Sequence, residues 1–174
     1  METKAKHFAM GYHAGQVRKY TGAPYINHPA AVVELVRSVK HTEAMICAAW
    51  LHDVVEDTVG TLMDVFNLFG EEVARLVSDL TDISKPTDGN RAARKAMDLL
   101  HTSRACPRAK TIKLADLIDN ARSIVEHDPG LAKVYLREKA RLLHVLRDGD
   151  PVLWNMAFDL IPEQYRDEAN LVMK

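Results

Sequence analysis

The placement of proline and glycine constrains this chain most. Its seven prolines and eight glycines are few for 174 residues, and they lie between segments of helical periodicity. Proline breaks a helix interior and glycine weakens one, so this punctuation cuts the chain into separate helices. Pro29 opens one running to about residue 40, with Val32, Val33, Leu35, Val36 and Val39 as its apolar stripe. Thr42 is placed to cap a helix over 44–57. Thr61 and Asp64 have capping-box spacing for a helix over 62–68, which Gly70 ends. A helix over 71–81 follows, its acidic first turn suiting the helix dipole. Residues 83–90 read as a loop, followed by helices over 91–101, 107–126 and 131–147. Asp150-Pro151 and Ile161-Pro162 each start a short closing helix. Strand-like alternation is nowhere sustained. The expectation is a single all-α domain over 1–174.

Composition narrows the class. A chain of this length can bury roughly 70% of its unfolded surface without a staple. With 47% hydrophobic and 27% charged residues it is an ordinary globular sequence, not a disordered one. Its 23 basic and 24 acidic residues leave a net charge of −1, without the basic excess of a general nucleic-acid binder. Cys47 and Cys106 cannot make a disulfide framework, which suggests a reducing cytoplasm. Residues 1–7 lack the apolar core of a signal peptide, and no run reaches membrane-spanning length.

Three segments carry candidate chemistry. On a helix advancing about 100° per residue, His52, Asp53, Glu56 and Asp57 share less than half the circumference. Their three carboxylates raise one another's pKa unless a cation holds them; the other reading is a solvated acidic helix end. Over 110–122, Leu114, Leu117, Ile118 and Ala121 form a stripe opposite Lys113, Asp116, Asp119 and Asn120. His28 precedes Pro29, which biases its backbone toward extended geometry at a helix entrance.

Taken in order, the motifs are Arg18-Lys19, Thr-Gly-Ala-Pro-Tyr-Ile-Asn-His-Pro over 21–29, Leu-His-Asp-Val-Val-Glu-Asp-Thr over 51–58 and Lys-Leu-Ala-Asp-x-x-x-Asn over 113–120. This set resembles the HD superfamily. Within it, the likeness is to the (p)ppGpp hydrolase domain of RelA/SpoT-type enzymes and to free-standing small alarmone hydrolases. It spans about 13–122, leaving the helices of 131–174 outside. The resemblance implies an HD-domain helical bundle with His28, His52, Asp53 and Asp116 as metal ligands. It implies Mn²⁺ as the metal, while the nitrogen and oxygen donors also suit Fe²⁺ or Zn²⁺. Glu56 and Asp57 match the family's catalytic acidic pair, and Arg18, Lys19 and Asn120 its substrate-binding residues. The implied reaction removes the 3′-pyrophosphate of (p)ppGpp, giving GDP or GTP and pyrophosphate, a step of the stringent response.

The sequence departs from that pattern at three places. Leu117 and Asp119 stand where the family usually has a basic residue and an aromatic or histidine, and the stretch 18–25 is one residue longer. These leave open another nucleotide substrate, such as a deoxynucleotide or nicotinamide dinucleotide phosphate, or a non-catalytic nucleotide sensor. The expected partner is a small nucleotide, with no nucleic acid, membrane or attached synthetase domain; the oligomeric state is not readable. Tyr25 and Lys113 belong to the motifs with a structural role equally open. Arg91, Arg94, Lys95, Arg104, Arg108 and Lys110 read as a solvated face or as a phosphate-attracting rim. The six histidines other than His28 and His52 read as packing or helix-end residues. Trp154, Met156 and Phe158 read as closing the core.

Overall fold

In the computed structural model, which describes residues 1–170, the helices follow the punctuation closely. They are α1 (Glu2–Tyr12), α2 (Asn27–Arg37), α3 (Glu43–Leu51), α4 (Val54–Asp57), α5 (Leu62–Phe69), α6 (Glu71–Leu80), α7 (Arg91–Ser103), α8 (Pro107–His127), α9 (Pro129–Val145), α10 (Pro151–Asp159) and α11 (Arg166–Asn170), with a 3₁₀ turn at Glu163–Tyr165. Among the described residues there is no strand, only an isolated bridge between Val17 and Pro24. The fold is all-α.

Side-chain caps set several boundaries. Thr42 accepts from the Met45 amide, Asn90 from Ala93, and Asp128 from Leu131, each satisfying an otherwise orphaned donor. Thr61 and Asp64 form a reciprocal capping box. Pro107, Pro129 and Pro151 open α8, α9 and α10, where a missing N–H costs nothing.

Helix α8 is the axis of the molecule, packed against α2, α3, α6, α9 and α10. It buries Ala109, Ile112, Leu114, Leu117, Ile118 and Ala121. Helix α3 is buried along its whole length from Ala44 to Leu51, as an all-apolar helix should be. Cys47 lies in that core, and Trp154, Met156 and Phe158 pack against it from α10. At Gly60 an added Cβ would lie 2.5 Å from Val54 and 3.1 Å from Tyr12, so only glycine lets the chain leave α4 there. No helix among the described residues is long and apolar enough to cross a membrane.

Four boundaries differ from expectation. Helix α1 carries only a weak apolar stripe, burying Ala5 and Ala9, so its sequence pattern does not announce it. The helix foreseen over 44–57 is two: α3 ends at Leu51, and α4 resumes at Val54. Asp53, at φ −94 and ψ −6, stays in the right-handed helical region but is relaxed from regular α-helix angles. Helix α9 begins at Pro129, because Asp128 caps it, rather than at 131. Ile161-Pro162 leads into the 3₁₀ turn before α11.

Candidate metal centre

The break between α3 and α4 has a chemical consequence. Consecutive residues on an unbroken helix point about 100° apart. At the turn of His52 and Asp53 the two side chains nonetheless reach one point, with His52 Nε2 3.1 Å from Asp53 Oδ2. His28 enters from the first turn of α2, its Nε2 3.3 Å from His52 Nε2 and 3.4 Å from Asp53 Oδ2. His28, His52 and Asp53 thus present ligand atoms within 4.8 Å of one another. Asp116 on α8 closes the group, its Oδ1 3.3 Å from His28 Nε2 and 3.9 Å from His52 Nε2. All four sequence-derived ligand candidates therefore converge from α2, the α3–α4 turn and α8.

The residues fit a divalent cation. Two nitrogens about 2.1 Å from one ion at right angles would stand roughly 3.0 Å apart, close to the observed separation. The His52 Nδ1–H donates to the Ala49 carbonyl, 2.8 Å away. A carbonyl only accepts, so Nε2 is the nitrogen left to face the cluster. Both imidazoles are nearly sealed from water. Burial opposes charge on His28, but Asp116, Asp119 and Asp53 outweigh it and lift its pKa to about 9. His52 is likewise raised, burial being overcome by Asp53 and Asp116. Burial also opposes ionisation of Asp116, yet Lys113 and the two imidazoles hold its carboxyl far below the usual range. The Lys113 ammonium and the raised proton affinity of the imidazoles offset the carboxylates. A divalent ion would supply that charge directly.

Glu56 and Asp57 sit at the exposed mouth, on α4. Desolvation and the charge of Asp82 raise the Glu56 pKa; desolvation and Asp53 raise that of Asp57. Glu56 Oε2 accepts the Asp82 amide at 3.2 Å. Tyr25 joins ligand to mouth: its hydroxyl lies 2.6 Å from Asp53 Oδ2 and 3.2 Å from Asp57 Oδ2. Lys113 pairs with Asp116 Oδ2 at 3.3 Å. The motif membership of Tyr25 and Lys113 signalled involvement; only the fold shows these partners.

The three substrate-binding candidates separate. Arg18 donates to Asn120 Oδ1 at 3.2 Å and Asp119 Oδ2 at 2.9 Å, and Asn120 donates to Asp116 Oδ1 at 2.6 Å. Arg18 and Asn120 therefore join the cluster. Lys19 is exposed and lies over the Tyr20 ring, whose hydroxyl bonds Asp128, away from the cluster. The stretch 18–25 closes on itself through Arg18 N–H to the Ala23 carbonyl, with Gly22 at φ +66. Leu117 is buried and contacts the core rather than the site.

The foreseen basic stretch also divides. Arg108 pairs with Glu72, and Lys110 is buried against Asp148 at 2.9 Å. Arg91, Arg94 and Lys95 line a cavity of about 390 Å³ that reaches Glu56. Arg91 and Lys95 also line a cavity of about 630 Å³, floored by Lys113, Tyr135 and Lys139. Sequence reasoning missed Lys139, which no motif marks.

An all-helical scaffold here gathers two histidines and two aspartates around one point, a donor set that suits a divalent cation. The chain belongs to the HD domain family, whose model matches residues 5–146. It is 34% identical over 96% of its length to a probable guanosine-3′,5′-bis(diphosphate) 3′-pyrophosphohydrolase of Synechocystis. It is 32% identical over 97% of its length to the guanosine-3′,5′-bis(diphosphate) 3′-pyrophosphohydrolase of Aquifex aeolicus. It spans 23% and 25% of those two proteins. Among solved structures, a metazoan ortholog of SpoT that hydrolyzes ppGpp matches with a TM-score of 0.83 and 29% identity, over 95% of this chain and 96% of that one.

Proposed function

We propose that this protein is a Mn²⁺-dependent pyrophosphohydrolase that cleaves the 3′-pyrophosphate of (p)ppGpp, leaving GDP or GTP and pyrophosphate. The observation that carries the reading is the convergence of His28, His52, Asp53 and Asp116, with Glu56 and Asp57 at its mouth. Support also comes from the metazoan ortholog, because that ppGpp-hydrolysing protein is matched over nearly its whole length. The same reading treats the chain as one hydrolase domain working in a reducing cytoplasm, with Cys47 and Cys106 as free thiols.

His28, His52, Asp53 and Asp116 would hold the ion. When bound, it supplies positive charge and Lewis-acid polarisation at a phosphoryl oxygen. Glu56 keeps Oε2 on the Asp82 amide, leaving Oε1 to take the proton of the attacking water. Its raised pKa makes the carboxylate a stronger base than an ordinary glutamate. Asp57, braced by the Tyr25 hydroxyl, orients that water from the other side. Arg18 and Asn120 hold the nucleoside end, and the cationic cavities bordered by Arg91, Lys95 and Lys113 receive phosphate oxygens.

One observation favours a second reading. Asp119 already engages Arg18, which lowers the positive charge offered to a nucleotide there. Another nucleotide, a deoxynucleotide or a nicotinamide dinucleotide phosphate, then becomes the better substrate. Incubation of Mn²⁺-loaded protein with ppGpp, GTP, deoxynucleotides and nicotinamide dinucleotide phosphates separates the two. The primary reading expects one pyrophosphate per ppGpp consumed; folded, metal-loaded protein releasing none refutes it.

A further inference from the structure

We infer that Asp119 is a positioning residue. It fixes the His28 imidazole with Nε2 toward the metal and ties that ring to Arg18. The inference deepens the proposed function and rests on its metal site.

The geometry is specific. Asp119 Oδ2 lies 2.6 Å from His28 Nδ1 and 2.9 Å from an Arg18 terminal nitrogen. An ionised carboxylate only accepts, so the proton of this bond belongs to Nδ1. The opposite ring nitrogen, Nε2, is the one that stands 3.3 Å from His52 Nε2. The His28 side chain is 1% exposed and that of Asp119 23% exposed. The bond therefore runs from a desolvated ring to a carboxylate at the edge of solvent, where water competes weakly for the ring proton.

The two histidines differ in what orients them. His52 is held by the backbone carbonyl of Ala49, which no side-chain substitution removes. His28 depends on a replaceable side chain. Asp116 and Asp119 lie three residues apart on α8, so both face the α2 entrance where His28 sits. Two branches leave Arg18: one through Asp119 to His28, the other through Asn120 to Asp116. The nucleotide side of the site is thereby linked to two of the four proposed ligands. A position read from sequence as a departure thus becomes part of the site.

Carboxylates behind metal-bound histidines fix ring orientation, and losing one costs about 10–100-fold in metal affinity. The test is Mn²⁺ titration of the full chain, following free Mn²⁺ by electron paramagnetic resonance, for the unaltered protein, Asp119→Ala and Asp119→Asn. Asp119→Ala should bind Mn²⁺ about 10-fold or more weakly, and its metal-free melting temperature should fall modestly because the buried Nδ1–H loses its acceptor. Asp119→Asn keeps an acceptor oxygen for Nδ1–H and should recover most of that loss. In a His28→Gln background, Asp119→Ala should add no further loss, because the residue acts through the ring. Unaltered Mn²⁺ affinity in Asp119→Ala, or an equal further loss in the His28→Gln background, overturns the inference while leaving the metal site standing. Absence of Mn²⁺ binding by the unaltered protein overturns both.

Discussion

The acidic cluster and the cationic cavity beside it meet at Lys113 and are otherwise built on opposite rules. The cluster is small, enclosed by α2, the α3–α4 turn and α8, and its members bond one another at short range. The cavity of about 630 Å³ between α7, α8 and α9 is lined by Arg91, Lys95, Lys139 and Arg141 together with Asp82, Asp98 and Glu138, and Arg141 is paired with Glu168 at 2.7 Å. Arg91 is engaged by Glu138 at 2.7 Å and Lys95 by Asp82 at 3.1 Å. Burial together with the charge of Lys113 draws Lys139 down to about 8. A net charge of −1 therefore hides two separated fields, one suited to a cation and one to phosphate. Lys113 belongs to both: it neutralises Asp116 and floors the cavity.

The largest effects should come from the acidic side. Chelation, or His52→Ala, should lower turnover by about 1000-fold, since a catalytic metal supplies several kcal/mol. Initial rates should return on Mn²⁺ addition after chelation but not in the variant. Full activity without metal would dissolve the distinction between the two regions. Glu56→Gln should reduce kcat by about 100-fold at unchanged Mn²⁺ affinity, because it removes a proton acceptor and not a ligand. Equal turnover would remove Glu56 as the proton acceptor, whereas nucleotide binding without turnover by the unaltered protein would support a nucleotide sensor.

Lys113→Met probes the junction. Removing one partner of a mostly buried ion pair costs about 3 kcal/mol. Thermal melts should show the loss in metal-free protein and a smaller one with Mn²⁺, which takes over the charge balance at Asp116. An equal loss in both states would separate Lys113 from the cluster. On the cationic side, Lys95→Ala should raise KM about fivefold, the scale of about 1 kcal/mol for an exposed charge, with kcat unchanged. That effect should fade as salt rises. Smallest of all, Lys19→Ala should change KM by less than about twofold, within the roughly 0.5 kcal/mol of an ordinary surface substitution. A large change there would bring Lys19 back to the nucleotide.

Much of the fold was legible because helix ends are local events. Thr61 and Asp64 cap one another over three residues, and Pro107 and Pro151 start helices through their own rings. Helix α1 was missed because Ala5 and Ala9 owe their burial to neighbours rather than to a strong stripe. The break at His52 and Asp53 was hidden too, since Glu43–Asp57 contains neither proline nor glycine. At the site, residues inside motifs were visible, whereas Lys139 and the partners of Tyr25 and Asp119 were not. The signals of those partners are distances across 28 to 101 residues of chain.

Sequence by itself determined where most helices start and stop, and it singled out His28, His52, Asp53 and Asp116 as candidates for one chemical set. Caps, proline rings and motif spacing act within a few residues, so they can be read in line. Tertiary structure alone decided that the helix yields at the His52–Asp53 dipeptide. It also decided that Asp119 stands behind His28. Those outcomes depend on which surfaces α2, α3 and α8 bury against one another, and burial is a property of the assembled bundle.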